Sequence, residues 1–366
     1  MADADADAYL ERLTPVGVRT LGVLSALEAA QRRLHPPVLP ELKQRLTPAR
    51  DQLADALAGF RDAEVPEPLA GFHETFIEGA ERTHKAIDQF VRPVPAEEAI
   101  MRVLGSMKTF SRALETFYGL IRFPPLSQYF LEESVRDRYM DFAVERTDGP
   151  AVGLQMSGGS DNPAGRGQFA LYVPETYDGT RDLPLVVALH GGSGTGREFV
   201  WTWLREARSR EFILLAPTSV GPTWALMGSD EDIASVSRMI DFASANYRID
   251  RSKVLMTGLS DGATYTLLGG LTEDAPFTHL APISGVMHPE NEMNGNLARA
   301  KGRPIYLVHG ALDWMFPVQT ARMAAQQLEE AEAQLVYREI DDLSHTYPRE
   351  ENAAILEWFA PELALN

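Results

Sequence analysis

"SKVLMTGLSDGATYTLLGGL", Ser252 to Leu271, passes within a residue from a strand-like apolar run to a helix-like one, and Ser260 stands between glycines at the change. A serine on a very tight strand-to-helix turn has its hydroxyl pushed out above a sheet, and small residues beside it avoid clashes. The same Gly-x-Ser-x-Gly spelling also arises by chance in any glycine-containing chain, so the turn needs support from its surroundings.

That support comes from the runs on either side. "LPLVVALH", "FILLAP", "KVLMTG", "HLAPISG" and "PIYLVHG" are short and nearly continuously apolar, with helix-like segments between most of them. Such runs suit strands buried on both faces of a parallel sheet covered by helices, where ligand sites lie at the carboxyl ends of the strands. "QFALYVP" alternates like a half-exposed strand, and the glycine-rich "MSGGSDNPAGRG" before it reads as a connection between early strands.

Before residue 149 the pattern is different. Leu39, Leu42, Leu46, Ala49, Leu53, Ala56 and Phe60 recur in steps of three and four, as do Leu69, Phe72, Phe76 and Ala80, and then Ile100 to Ile121. Proline-rich breakers at His35–Pro40, Val65–Pro68, Arg92–Pro95 and Phe123–Pro125 separate these series. Pro48, with Thr47 as a candidate cap, suggests two short helices or a kinked one. The expected organisation is an all-helical bundle over 1–148 and an α/β domain over 149–366, with the break at the Asp148-Gly149-Pro150 turn.

Composition narrows the chemistry. The 366 residues include no cysteine, which excludes disulfides, thiolate metal sites and a cysteine nucleophile. A formal charge of −18 argues against nucleic acid as a partner. No apolar stretch is long enough for a membrane span, and the acidic start "MADADADAYLERL" lacks the plan of a secretory signal, so a cytoplasmic protein is expected.

The ends of the apolar runs carry the candidate site. "LVVALH" leads into "HGGSGTG", whose bare backbone N–H groups can face a developing oxyanion. "IYLVHG" leads to Asp313, and the loop "DDLSHTYP" carries His345 ahead of the final helix-like stretch. Ser260, Asp313 and His345 thus occur in the order expected when such a sheet carries a triad. His279 and His288 rival His345, and Asp341 and Asp342 rival Asp313, but none of them occupies the expected loop.

In "PLVVALHGGSGTG", "NYRIDRSKVLMTGLSDGA", "LAPISGVMHP", "VHGALDWMFPV" and "SHTYP", taken in order, the chain resembles the α/β-hydrolase serine esterases. It is most similar to the branch of polyhydroxybutyrate depolymerases, feruloyl esterases and phospholipase/carboxylesterase-type enzymes. The resemblance covers roughly residues 168 to 360. Many secreted members carry a cysteine in the loop that here has Gly192, and the helical first part has no counterpart in the family.

The chemistry assigns roles. Ser260 attacks an ester carbonyl, and His345 takes its proton, because a hydroxyl is a poor nucleophile without a base. Asp313 orients the imidazole and stabilises its charged form. The backbone N–H of Asp261 and that of Gly192 or Ser193 meet the oxyanion, leaving the Asp261 carboxylate incidental. Trp224 and Trp314 follow strand ends and are candidate aromatic walls for an acyl or aryl group. No metal or organic cofactor is required, and the acids Asp230 to Asp232 read as helix caps rather than metal ligands.

The leading expectation is therefore a carboxylic-ester hydrolase acting through an acyl-enzyme on a small-to-medium acyl or aryl ester. An acyltransferase on the same fold and a non-catalytic assembly protein working through the helical part are the alternatives. The helical part could serve as a lid, a docking surface or a homodimerisation element.

Overall fold

Uncharged apolar runs form the inner strands of a sheet in which each is covered on both faces. The computed structural model describes residues 2–142, 144, 149–158, 165–227 and 230–365, with side chains from residue 6 onward. The expected boundary at 148/149 abuts residues outside that description. The chain divides into two compact units, Met1–Phe130 and Leu131–Asn366.

The first unit is helical: α1 (Ala2–Arg32), α2 (Leu39–Phe60), α3 (Ala70–Val91), α4 (Ala96–Tyr118) and the short α5 (Pro124–Tyr129). The proline-rich breakers lie in or beside its connections. Helix α2 continues through Pro48, and the Thr47 hydroxyl donates to the Lys43 carbonyl rather than capping a new start. An interior proline costs about 3 kcal/mol or more. Here one buried face, Leu39, Leu42, Leu46, Leu53, Leu57 and Phe60, runs across the break and holds both halves in register. Helix α1 has no counterpart among the expected helices; Tyr9, Leu13, Val16, Val23, Leu24 and Leu27 line its buried side. Phe60, Phe76, Phe117, Phe72 and Phe123 form a connected aromatic core, mostly in edge-on pairs.

In the second unit, among the described residues, eight strands form one sheet in the order β1-β2-β4-β3-β5-β6-β7-β8. They are β1 (Gly153–Met156), β2 (Phe169–Val173), β3 (Leu183–Leu189), β4 (Ile213–Pro217), β5 (Ile249–Leu259), β6 (His279–Ile283), β7 (Pro304–Gly310) and β8 (Gln334–Ile340). From β4 to β8 neighbours run parallel, whereas β2 pairs antiparallel with both β1 and β4. That double pairing buries β2 more than its alternation suggests. Between the strands lie α6 (Gly196–Phe199), α7 (Leu204–Arg210), α8 (Asp232–Asn246), α9 (Asp261–Gly270), α10 (Glu290–Met293), α11 (Val318–Glu330) and, last, α12 (Glu351–Phe359). Leu185, Val187, Leu189, Ile213, Leu215, Val254 and Met256 join Trp224, Tyr265 and Ile240 in the main core.

Candidate active site

Strand β5 ends at Leu259 and α9 begins at Asp261, so Ser260 alone makes the turn, with φ 57° and ψ −118°. That conformation is costly for a residue with a side chain. Its backbone is held from both sides. The Ser260 N–H donates to the Ile283 carbonyl at 3.0 Å, and its own carbonyl accepts from Ala263 and Thr264 at 2.9 Å. The flanking glycines are needed for space: a Cβ on Gly258 would lie 2.5 Å from the Gly262 backbone, and one on Gly262 would lie 2.5 Å from the His190 carbonyl oxygen.

A line of hydrogen bonds leads from this serine. His345 Nε2 is 2.9 Å from Ser260 Oγ, and His345 Nδ1 is 2.8 Å from Asp313 Oδ2. Asp313 is buried, and its second oxygen accepts the N–H groups of Met315 and Phe316 at 2.9 and 2.8 Å. The loops bearing acid and base are tied together, because Ala311 N–H donates to Ile340 and Leu312 N–H to Leu343. The Phe316 ring meets the His345 imidazole edge-on at 5.3 Å. Ser260 Oγ is thus within reach of a base that is itself oriented by a carboxylate.

Beside Ser260 lies the "HGG" loop after β3. A Cβ on Gly192 would come within 2.7 Å of Asp261 Oδ2, so the loop packs directly on the start of α9. Ser193 adopts a left-handed φ of 58°, and Gly194 N–H closes a turn onto the Gly191 carbonyl at 3.1 Å. The Asp261 carboxylate is not incidental: it accepts the Thr223 hydroxyl at 2.6 Å and so joins the serine turn to the loop after β4. Asp232, also buried, binds that loop at Val220 N–H and Ala225 N–H, both 2.7 Å, and burial raises its pKa despite these bonds. Asp230 Oδ1 accepts from Asp232 and Ile233 N–H at 3.1 Å, a capping arrangement.

The two candidate tryptophans part company. Trp224 is only 2% exposed: its indole stacks on Tyr265, lies against His190 and donates Nε1–H to the His190 carbonyl at 2.7 Å. It lies within the core and offers no wall, because the ring is buried and its N–H already has a partner. Trp314 is 46% exposed next to Asp313, with Leu312 and Met315 also exposed on the same loop. The rival histidines lie elsewhere. His279 opens β6, at the far end of the strand, where it packs on Trp358 and Phe359 and burial lowers its pKa. The His288 Nδ1 accepts from Glu290 N–H at 3.3 Å. His309, which in the sequence reads as structural because it precedes a glycine at a strand end, has its Nε2 3.5 Å from Asp313 Oδ2.

Residues 227–360 match the family described as Phospholipase/Carboxylesterase. The second unit has the α/β-hydrolase fold, a mostly parallel eight-stranded sheet with helices between its strands. A probable feruloyl esterase C of Aspergillus terreus is 27% identical over 150 residues, 39% of this chain and 55% of that protein. Poly(3-hydroxyalkanoate) depolymerase C of Paucimonas lemoignei is 31% identical over 144 residues, 36% of this chain and 34% of that one. The chain therefore spans about half or less of the length of these relatives. Among solved structures, the acetyl xylan esterase from Aspergillus awamori aligns with a TM-score of 0.45 at 20% identity, over 57% of this chain and 98% of that one. Among the described residues, no helix of either unit is long and apolar enough to cross a membrane.

Proposed function

We propose that the chain is a serine carboxylic-ester hydrolase that works through an acyl-enzyme on a small-to-medium acyl or aryl ester. The observation that carries this reading is the unbroken line Ser260 Oγ, His345, Asp313, with contacts of 2.9 and 2.8 Å. In the first half-reaction Ser260 Oγ bonds to the ester carbonyl carbon while its proton passes to His345 Nε2. Asp313 stabilises the imidazolium through Nδ1 and does not itself take the proton. The negative oxygen of the tetrahedral species is met by backbone N–H groups, that of Asp261 and that of Gly192 or Ser193. Collapse breaks the bond to the leaving alcohol, which receives the proton from Nε2. Water then repeats the sequence and frees the acid.

The exposed apolar rim of Leu312, Trp314 and Met315 beside Asp313 supports an apolar or aryl acyl group, since such a group loses contact with water there. The names of the relatives, feruloyl esterase and poly(3-hydroxyalkanoate) depolymerase, span aryl and hydroxyalkanoate esters and support that range.

A panel of chromogenic esters of increasing acyl size tests the reading. Ser260→Ala is expected to lower turnover by roughly four to six orders of magnitude with the fold intact, and His345→Ala by a similar factor, without the two losses adding. Retention of a tenth of wild-type activity by either variant removes the mechanism.

A further inference from the structure

His309 is the penultimate residue of β7, with its side chain fully out of solvent, four residues before Asp313. Its Nε2 lies 2.8 Å from the Phe316 carbonyl oxygen and 3.5 Å from Asp313 Oδ2. A carbonyl only accepts, so Nε2 must carry the proton. Burial lowers the His309 pKa, against the opposing pull of the Phe316 carbonyl and Asp313, which favours a neutral ring with a bare Nδ1. That Nδ1 is buried with no hydrogen-bond partner among the described residues. The groups facing the ring are Asp313 on its own loop, His345 from the loop after β8 and Glu339 on β8, which Arg322 of α11 and Tyr337 hold. On the β6 side stands the uncharged Ser284, whose N–H donates to Val308.

Phe316 is where these contacts converge. Its N–H holds Asp313 Oδ1, its ring packs on His345, and its carbonyl is held by His309. We propose that His309 is a positioning residue for the acid and base: its Nε2–H fixes the 313–316 turn, and through that turn the Asp313–His345 bond. The Nε2–H dipole also lies near Asp313 Oδ2, drawing part of its charge away from His345. This proposal rests on the esterase reading for its effect on turnover, but its geometric content stands apart from it.

The test uses the full chain with His309→Gln and His309→Asn. A glutamine amide nitrogen reaches to about the place of Nε2, whereas that of asparagine stops near Nδ1, so two amides of similar polarity differ in where they donate. Turnover and KM on the ester panel are measured across pH, and the strongly deshielded His345 Nδ1 proton is followed by NMR with histidine-selective 15N labelling. Glutamine is expected to keep kcat within about threefold and to retain the Nδ1 proton signal. Asparagine is expected to lower kcat roughly ten- to hundredfold at unchanged KM, the scale of loss when a catalytic group is misplaced by an ångström, and to shift or lose that signal.

Equal kcat and equal Nδ1 signals in the two variants overturn the proposal. The NMR comparison needs no turnover, so full activity in Ser260→Ala would remove the esterase reading while the His345 signal still decides the role of His309. If neither variant folds, the wild-type 15N shifts decide it. His309 should be Nε2-protonated and neutral at neutral pH, and a cationic or Nδ1-protonated ring there overturns the assignment.

Discussion

Ser260 is held in a conformation that glycine reaches without steric cost and serine does not, with φ at 57°. Strain of this kind costs of order 1–3 kcal/mol and persists only where the surroundings enforce it. The bonds from Ser260 to Ile283, Ala263 and Thr264, and the lack of room around Gly258 and Gly262, are that enforcement. The strain should be measurable as stability. Ser260→Gly, compared with Ser260→Ala so that both lack the hydroxyl, is expected to melt about 2–4 °C higher, equivalent to roughly 1 kcal/mol in a domain of this size. A glycine variant that melts at or below the alanine variant would mean that the turn is not strained. Both variants should be equally inactive, so the gain in stability comes at the expense of the nucleophile.

At the scale of elements, Asp313 and His345 are carried on loops after β7 and β8, which pair directly, and α11 ties onto β8 through an ion pair. Arg322 on α11 reaches across to Glu339 on β8 with contacts of 2.8 and 2.5 Å, and the Tyr337 hydroxyl adds another at 2.9 Å. The Arg322 guanidinium, more than the other neighbours, holds the Glu339 carboxyl down at about 2. A folded-state pKa below the unfolded value means that the stabilisation is complete above the unfolded pKa and is lost as pH falls through the folded one. Because the pair is partly exposed, Glu339→Gln is expected to cost only about 0.5–1 kcal/mol at neutral pH. The gap between variant and wild type in thermal melts should narrow from about pH 4 toward pH 2 and shrink in high salt. A gap that is the same at pH 7 and pH 3 would place its origin in packing rather than in charge.

The same strand marks where the sequence was hard to read. The buried stretches of β3 to β7 announce themselves because burial on both faces demands uncharged runs, whereas "QLVYREI" of β8 is an edge strand that mixes charge with partly buried apolar residues, as a surface turn or helix would. Helix α1 hides for a related reason: its buried positions are diluted by Ala, Asp and Glu in the opening turns. Ser260, Asp313 and His345, which the structure brings into one hydrogen-bonded line, stand out along the chain because triad chemistry asks for those residue types after those strands. The Thr223–Asp261 tie joins positions 38 apart, and His309 acts through a backbone carbonyl, so neither leaves a pattern along the chain. Trp224 misleads because nearness to a strand end says nothing about which way a side chain turns.

For the whole molecule, the folding unit that carries the sheet begins earlier than its first strand. The segment from Leu131 to Phe142 precedes the first strand, yet it packs within the second unit: Leu131, Val135 and Phe142 form a buried cluster with Leu365 beside it. Glu132 binds Arg210 of α7 through both carboxylate oxygens, at 2.7 and 2.9 Å, and its N–H donates to Ser209 at 2.8 Å. Arg210 is buried and otherwise meets the Leu363 carbonyl at 3.2 Å and Glu357 at 3.8 Å. Removing one partner of a buried ion pair costs about 3–5 kcal/mol, because the other charge stays out of water unpaired. We therefore propose that the folding boundary lies before Leu131 rather than at the change of sequence pattern near residue 148. A fragment of residues 131–366 is expected to fold and keep Ser260-dependent turnover. One of residues 151–366, lacking Glu132 and the apolar cluster, should melt roughly 6–12 °C lower or be insoluble. Equal melting temperatures for the two fragments would show that the 131–142 segment contributes nothing to the hydrolase unit. The longer fragment also addresses the helical unit: relative rates across the ester panel that match the full chain would exclude that unit from substrate choice, and altered rates would assign it a part in selecting the acyl group.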